Sequence, residues 1–328
     1  MSSPLPFVHA SELAREVPEK RWLLEGLWAA SGVGLLGGCP KVGKSWLGLE
    51  MAVSVASGTP CLGAFAPSGR GRALIYMAED ADPVVRERLE SLCRYHRVRL
   101  EDIELFVITV ATLRIDIPDE QQRLSETMAR LKPTMLLLDP LIRLHRANEN
   151  DSGEVSAILA YLRGLQRQYD AAVVLVHHVR KSGSNGQPGQ ALRGSGDWHA
   201  FGDSNLYLQR RDRHLLLTIE HRAAKSPEPI TLQLVEDDPT HLEITDTTST
   251  TSKAIDEAIV DILTLATHPM TRGALRDRLR TRNERVGEAL DDLERRGLVR
   301  RVPGGWALRS FPFPPNGSPG TERSDGAR

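Results

Sequence analysis

Short apolar runs alternate with amphipathic stretches along the first half of the chain. Val33–Gly37, Ala73–Ala78, Thr134–Leu138 and Ala172–Val176 are short and rich in Val, Ile and Leu, and each is followed by a polar or glycine-rich edge. Runs of that length predict strands of a parallel sheet, buried on both faces. Helical spacing fills the intervals, over Ser45–Ser57, Pro83–His96, Glu120–Leu131 and Glu154–Tyr169. Alternating strands and helices predict an α/β fold whose mostly parallel sheet is joined by right-handed crossovers. Later runs at Asn205–Gln209, His214–Glu220, Ile230–Val235 and His241–Ile244 alternate with period two. These predict antiparallel strands that extend the same sheet. No repeat of solenoid type is visible.

Composition shifts divide the chain. Residues 1–24 form an N-terminal segment, 25–245 the main domain, 246–253 a Thr/Ser-rich linker, 254–309 a small second domain, and 310–328 a Pro/Gly/Ser-rich tail expected to be disordered. Within the main domain, Lys181–Trp198 is rich in Gly, Ser, Gln and Asn and is expected to be a mobile loop. The second domain is expected to contain a helix over Ala254–Ala266, another from Thr271 to about Arg280 with Thr271 as cap, and a third over Asn283–Arg296. A hairpin around Pro303-Gly304-Gly305 follows. Leu275, Leu279, Val286, Leu290 and Leu293 have the spacing of a small helical core.

Bulk composition narrows the classes. The chain has 328 residues, 40% hydrophobic and 26% charged, as in an ordinary globular protein. No apolar run reaches the ~18 residues of a membrane span, and no export signal is visible at the N-terminus. Cys39, Cys61 and Cys93 fit neither a disulfide framework nor a zinc site, which points to the reducing cytoplasm. Net charge is −1. Residues 253–309 carry 12 Lys and Arg against 9 Asp and Glu, the tail is neutral, and the remainder is therefore −4. A surface that meets nucleic acid must be a local patch.

The strongest chemical signal is Gly38-Cys39-Pro40-Lys41-Val42-Gly43-Lys44-Ser45, a GxxxxGK[ST] motif between a buried strand and a helix. Its backbone N–H groups converge on phosphates at the helix N-terminus. Lys44 is placed to neutralise the β- and γ-phosphates, and the Ser45 hydroxyl to bind Mg²⁺. A chance glycine-rich turn is the bland alternative, and the strand–helix context argues against it.

Three strand ends add polar groups. Asp139 closes Met135-Leu136-Leu137-Leu138, where a carboxylate points into the crevice of a parallel sheet and suits a Mg²⁺ acid. Taken alone, Asp-Pro is a turn signal. Glu79 and Asp80 close another strand. Glu79 is a candidate to orient and polarise the attacking water, whereas Asp80 or Asp82 suits a helix cap before Pro83. His177-His178 close a third. Adjacent strand residues point to opposite faces, so a shared metal chelate is disfavoured and a γ-phosphate contact preferred.

The order GCPKVGKS, YMAED, LLLLDPL, VVLVHH and LRGSGDW resembles the RecA-like P-loop ATPases. Among them it resembles the plasmid RepA-type hexameric replicative helicases, an AAA-type ATPase family, over roughly residues 20–240. The resemblance implies ATP and Mg²⁺ held at Lys44, Ser45 and Asp139, with Glu79 as catalytic base. It also implies a γ-phosphate sensor at His178 rather than His177. The segment after the histidines corresponds to a DNA-facing loop, with Arg180 and Lys181 its only basic residues before Arg193-Gly194-Ser195-Gly196. A homo-oligomeric ring is implied, in which a neighbour supplies a cation in trans. Arg222 and Lys225 are the candidates, in an order opposite to the family's Lys-x-Arg; Arg210 and Arg211 are the nearest alternatives after the RGS turn.

Residues 254–309 resemble a winged helix, whose third helix enters a major groove in DNA readers. Arg282, Arg285, Arg300 and Arg301 are its candidate phosphate contacts, while Glu284, Glu288, Asp291 and Asp292 suit a protein-interaction module instead. The resulting expectation is an ATP-hydrolysing ring motor on single-stranded DNA, a DNA helicase in class, for replication of a plasmid or mobile element. The rivals are an ATP-switched regulator reading duplex DNA, and a scaffold that binds nucleotide without turnover.

Overall fold

A computed structural model describes residues 7–12, 22–178, 197–245, 247–266, 268–279 and 283–309. The expected loop at 181–198 (up to Gly196), the Arg193–Gly196 turn, Arg282 and the tail from Ser310 lie outside those residues. The chain divides into two compact units, Met1–Thr245 and Asp246–Arg328.

The first unit opens with a small hairpin, β1 (Trp22–Leu24) and β2 (Trp28–Ala29). Then come β3 (Val33–Gly38), α1 (Lys44–Ser57), β4 (Ala73–Met77), α2 (Asp82–Tyr95), β5 (Leu105–Val107), α3 (Pro118–Leu131) and β6 (Met135–Asp139). After them run α4 (Ser152–Tyr169), β7 (Ala172–His178), α5 (Asp197–Phe201), β8 (Ser204–Arg211), β9 (His214–His221), β10 (Ile230–Val235) and β11 (His241–Ile244). One nine-stranded sheet runs β11-β10-β9-β8-β3-β7-β6-β4-β5. The strands from β8 to β5 in that order pair parallel, and β8 to β11 pair antiparallel.

Strand side chains alternate between two cores, as a pleat requires. Leu36, Ile75, Leu137 and Val174 face the core shared with α1 and α2. Leu35, Leu74, Leu136, Leu138 and Val173 face the one shared with α3 and α4. Helix α1 is buried almost all round, as a helix apolar on every side must be. Its one buried carboxylate, Glu50, accepts from the Leu62 amide at 2.8 Å and pairs with His96 Nε2 at 2.9 Å. The sheet is closed tightly beside β3: a Cβ on Gly34 would stand 1.8 Å from the Ser204 carbonyl oxygen.

The second unit has α6 (Thr247–Leu265), α7 (Arg272–Leu279), α8 (Asn283–Arg295) and a hairpin of β12 (Val299–Val302) and β13 (Gly305–Leu308). Leu275, Val286, Leu290 and Leu293 share its core with Ile259 and Trp306. Helix α6 starts seven residues before the expected Ala254, so most of the segment read as a linker is helical. Thr247–Lys253 is polar but holds neither Gly nor Pro, and nothing in it stops the helix from propagating backwards.

Candidate active site

The parallel strands deliver their C-terminal ends to one edge. Pairing sets Gly38 of β3 level with His178 of β7, and Met77 of β4 level with Asp139 of β6. A cleft of about 630 Å³ opens there. It is lined by Pro40 to Ser45, by Glu79, Asp80, Asp139 and His178, and by Trp46, Arg88, Arg210 and Arg213. Gly38 and Cys39 precede this lining at the end of β3, and their carbonyls face the Lys44 ammonium.

The loop from β3 to α1 turns through positive φ at Lys41 (61°) and Gly43 (92°). Gly43 caps α1 with no side-chain hydrogen bond, so the first amides of the helix face the cleft side without a side-chain acceptor. Those amides and the helix dipole favour an anion. Lys44 is 5% exposed. Its Nζ donates to the carbonyls of Gly38 (3.0 Å) and Cys39 (2.8 Å) and lies 3.3 Å from His178 Nδ1. Burial lowers the Lys44 pKa from its ordinary value, opposed first by the charge of Asp139.

Asp139 is equally buried, and its carboxyl is pushed up to about 6, chiefly by desolvation. The Ser45 hydroxyl and the Lys44 charge pull it back; Asp80 and Glu79 push the other way. Its Oδ2 is buried with no hydrogen-bond partner. Glu79 Oε1 accepts from Arg143 Nε at 2.8 Å, and Asp80 from Arg88 Nη1 at 2.6 Å. Arg88 also lies over the Trp46 ring, 5.8 Å from its centroid. The capping role considered for Asp80 or Asp82 is not found: α2 starts at Asp82, and its cap, Ala81, makes no side-chain bond.

The adjacent histidines separate as the pleat dictates. His178 reaches the cleft, while His177 is buried against Trp198 (centroids 5.9 Å apart), 3.7 Å from Glu149 Oε1. Arg222 and Lys225 are not in the cleft of their own chain. Arg222 donates to the Ala200 carbonyl at 2.5 Å and lies 3.5 Å from Asp203; Lys225 is exposed. Arg210 does line the cleft, and Arg211 is not among its lining residues. Sequence reasoning missed Arg88, Arg213 and Trp46. Only Trp46, next to Ser45, had a local signal.

A nine-stranded sheet with a phosphate-binding loop at its centre and two acidic strand ends beside it defines a RecA-like P-loop ATPase core. The family described as AAA domain matches residues 2–184, more than half of the chain. The chain belongs to that family. Two solved structures share its fold. One is described as the ATPase Domain of G40P, 13% identical with a TM-score of 0.51, covering 66% of this chain and 86% of that one. The other is a DnaB-like replicative helicase described with its interactions with primase, 14% identical with a TM-score of 0.52. That match covers 65% of this chain and 59% of the other, so this chain spans about three-fifths of it. Among the described residues, no helix is long and apolar enough to cross a membrane.

Proposed function

We propose that this protein is an ATP-hydrolysing, DNA-associated motor, a RepA-like ring helicase acting on single-stranded DNA in replication of a plasmid or mobile element. The observation that carries the reading is the meeting of Lys44, Ser45, Glu79, Asp139 and His178 around one cleft beside an uncapped helix N-terminus.

Asp139 and Ser45 fit Mg²⁺. The buried Asp139 Oδ2 has no hydrogen-bond partner, and a hydroxyl and a carboxylate are the hard oxygen donors that this ion takes. When bound, Mg²⁺ supplies positive charge at the β- and γ-phosphate oxygens of ATP. Lys44 exchanges its two loop carbonyls for phosphate oxygens, a charge-assisted replacement. Glu79 orients the attacking water and takes up its proton, as a positioned carboxylate does in general base catalysis. His178, beside Lys44, contacts the γ-phosphate. A neighbouring subunit supplies Arg222 or Lys225 to the transition state; their place outside their own cleft agrees with action in trans.

The second unit is read as a winged helix. Three helices followed by a hairpin support this, with Arg300 and Arg301 exposed on the first strand of the wing. That observation favours a second reading, an ATP-switched regulator that contacts duplex DNA. Strand displacement on a forked DNA with a single-stranded tail tests the choice. ATP-dependent displacement supports the motor. Tight binding to blunt duplex with no displacement supports the regulator.

A further inference from the structure

Glu79 and Asp80 leave the end of β4 side by side, and each carboxylate meets an arginine. The Asp80–Arg88 pair is mostly buried, at 25% and 24% exposure. The Glu79–Arg143 pair stays largely in solvent, at 46% and 63%. Arg143 ends the short 3-10 turn Leu141–Arg143, which follows Asp139-Pro140 directly. Buried Leu141 and Leu144 pin this segment to the core, while Arg143 and Arg146 face outward. The segment that leaves the proposed magnesium carboxylate therefore also holds the proposed base.

We infer that Arg143 is a positioning residue that restrains Glu79, and that a nucleic-acid backbone phosphate is the ligand that releases it. This rests on the reading of Glu79 as the base. A carboxylate oxygen that accepts from a guanidinium has fewer lone pairs for water, and the ion pair fixes the side-chain rotamer. The guanidinium fork matches phosphate as well as carboxylate, so an incoming phosphate competes with Glu79 for the same donors. Arg143 is exposed, so its guanidinium is open to a ligand from solvent. An exposed ion pair of ~1 kcal/mol changes a population by about fivefold, which sets the size of the restraint. A ligand of modest affinity reverses an effect of that size.

The test is steady-state ATP hydrolysis by the full chain, with and without an oligo(dT) strand, for wild type, Arg143→Gln, Arg143→Lys and Glu79→Gln. Arg143→Gln is expected to raise kcat without DNA by about two- to fivefold and leave KM for ATP unchanged. Its stimulation by oligo(dT) should shrink by the same factor, while Arg143→Lys keeps most of the restraint. A basal kcat that stays or falls in Arg143→Gln, or stimulation that stays at the wild-type ratio, overturns the inference. If Glu79→Gln turns over as fast as wild type, the base assignment itself fails and the restraint goes with it. A wild type that hydrolyses ATP but ignores oligo(dT) counts against the motor and the phosphate release, and leaves the basal comparison to decide the restraint.

Discussion

Asp139 illustrates at the residue scale how a binding site opposes stability. Its carboxyl sits at about 6 against an ordinary 3.8. The folded chain therefore holds this proton more tightly than the unfolded chain does. The contribution of Asp139 to folded stability is fully present below about 4 and is lost as pH rises through 6, by about 3 kcal/mol in all. Asp139→Asn should lack that slope and, without nucleotide, unfold at higher denaturant than wild type at pH 7.5. Urea melts from pH 4.5 to 7.5 check this, and parallel slopes for the two proteins would count against it. Hydrolysis should be lost in the same variant. Lys44→Ala should lower kcat/KM for ATP by about a hundredfold or more, since it removes the cation nearest the proposed phosphate site. The phosphate-binding loop was legible because its eight residues are contiguous and sit between a strand and a helix. Glu79, Asp139 and His178 were legible as polar residues at the ends of apolar runs. Arg88, Arg143 and Arg213 were not, because they arrive from a helix, a turn and a hairpin through packing that no local spacing encodes.

Elements show the same division. The apolar runs located the central strands to within a residue or two, since a strand buried on both faces has no polar positions to blur it. Strand order was not legible: β8 pairs parallel with the fully buried β3 on one side and antiparallel with the alternating β9 on the other, and nothing in its own sequence names either partner. Edge strand β5 was missed because only three residues pair and two of them are exposed. Gly34→Ala forces a methyl against the Ser204 carbonyl, backbone on backbone, and should cost about 3 kcal/mol or more. Glu50→Ala leaves the Leu62 amide and the His96 ring nitrogen without their acceptor inside the core and should cost about 3 kcal/mol. Glu50→Gln, which keeps an acceptor for the amide, should cost less. Chemical denaturation of the three variants gives all these values.

The chain as a whole divides where its composition changes, at a Thr/Ser-rich stretch near residue 246. Assembly is the level that a single chain does not specify, and Arg222 offers a way to reach it. If Arg222 acts on a neighbour's nucleotide, Arg222→Ala and Lys44→Ala proteins should each be inactive. Mixed and reassembled, they should regain roughly a quarter of wild-type turnover, from random pairing of intact loops with intact fingers. A mixture as inactive as its components assigns Arg222 to its own chain, through Asp203 and Ala200. Hydrolysis coupled to single strands is the activity that this site and fold together predict. The most direct measurement is steady-state ATP turnover with Mg²⁺, alone and with single-stranded or duplex DNA, beside Lys44→Ala. Several-fold stimulation by single strands, absent in Lys44→Ala, is the predicted result. Turnover indifferent to single strands, or raised by duplex alone, would contradict it.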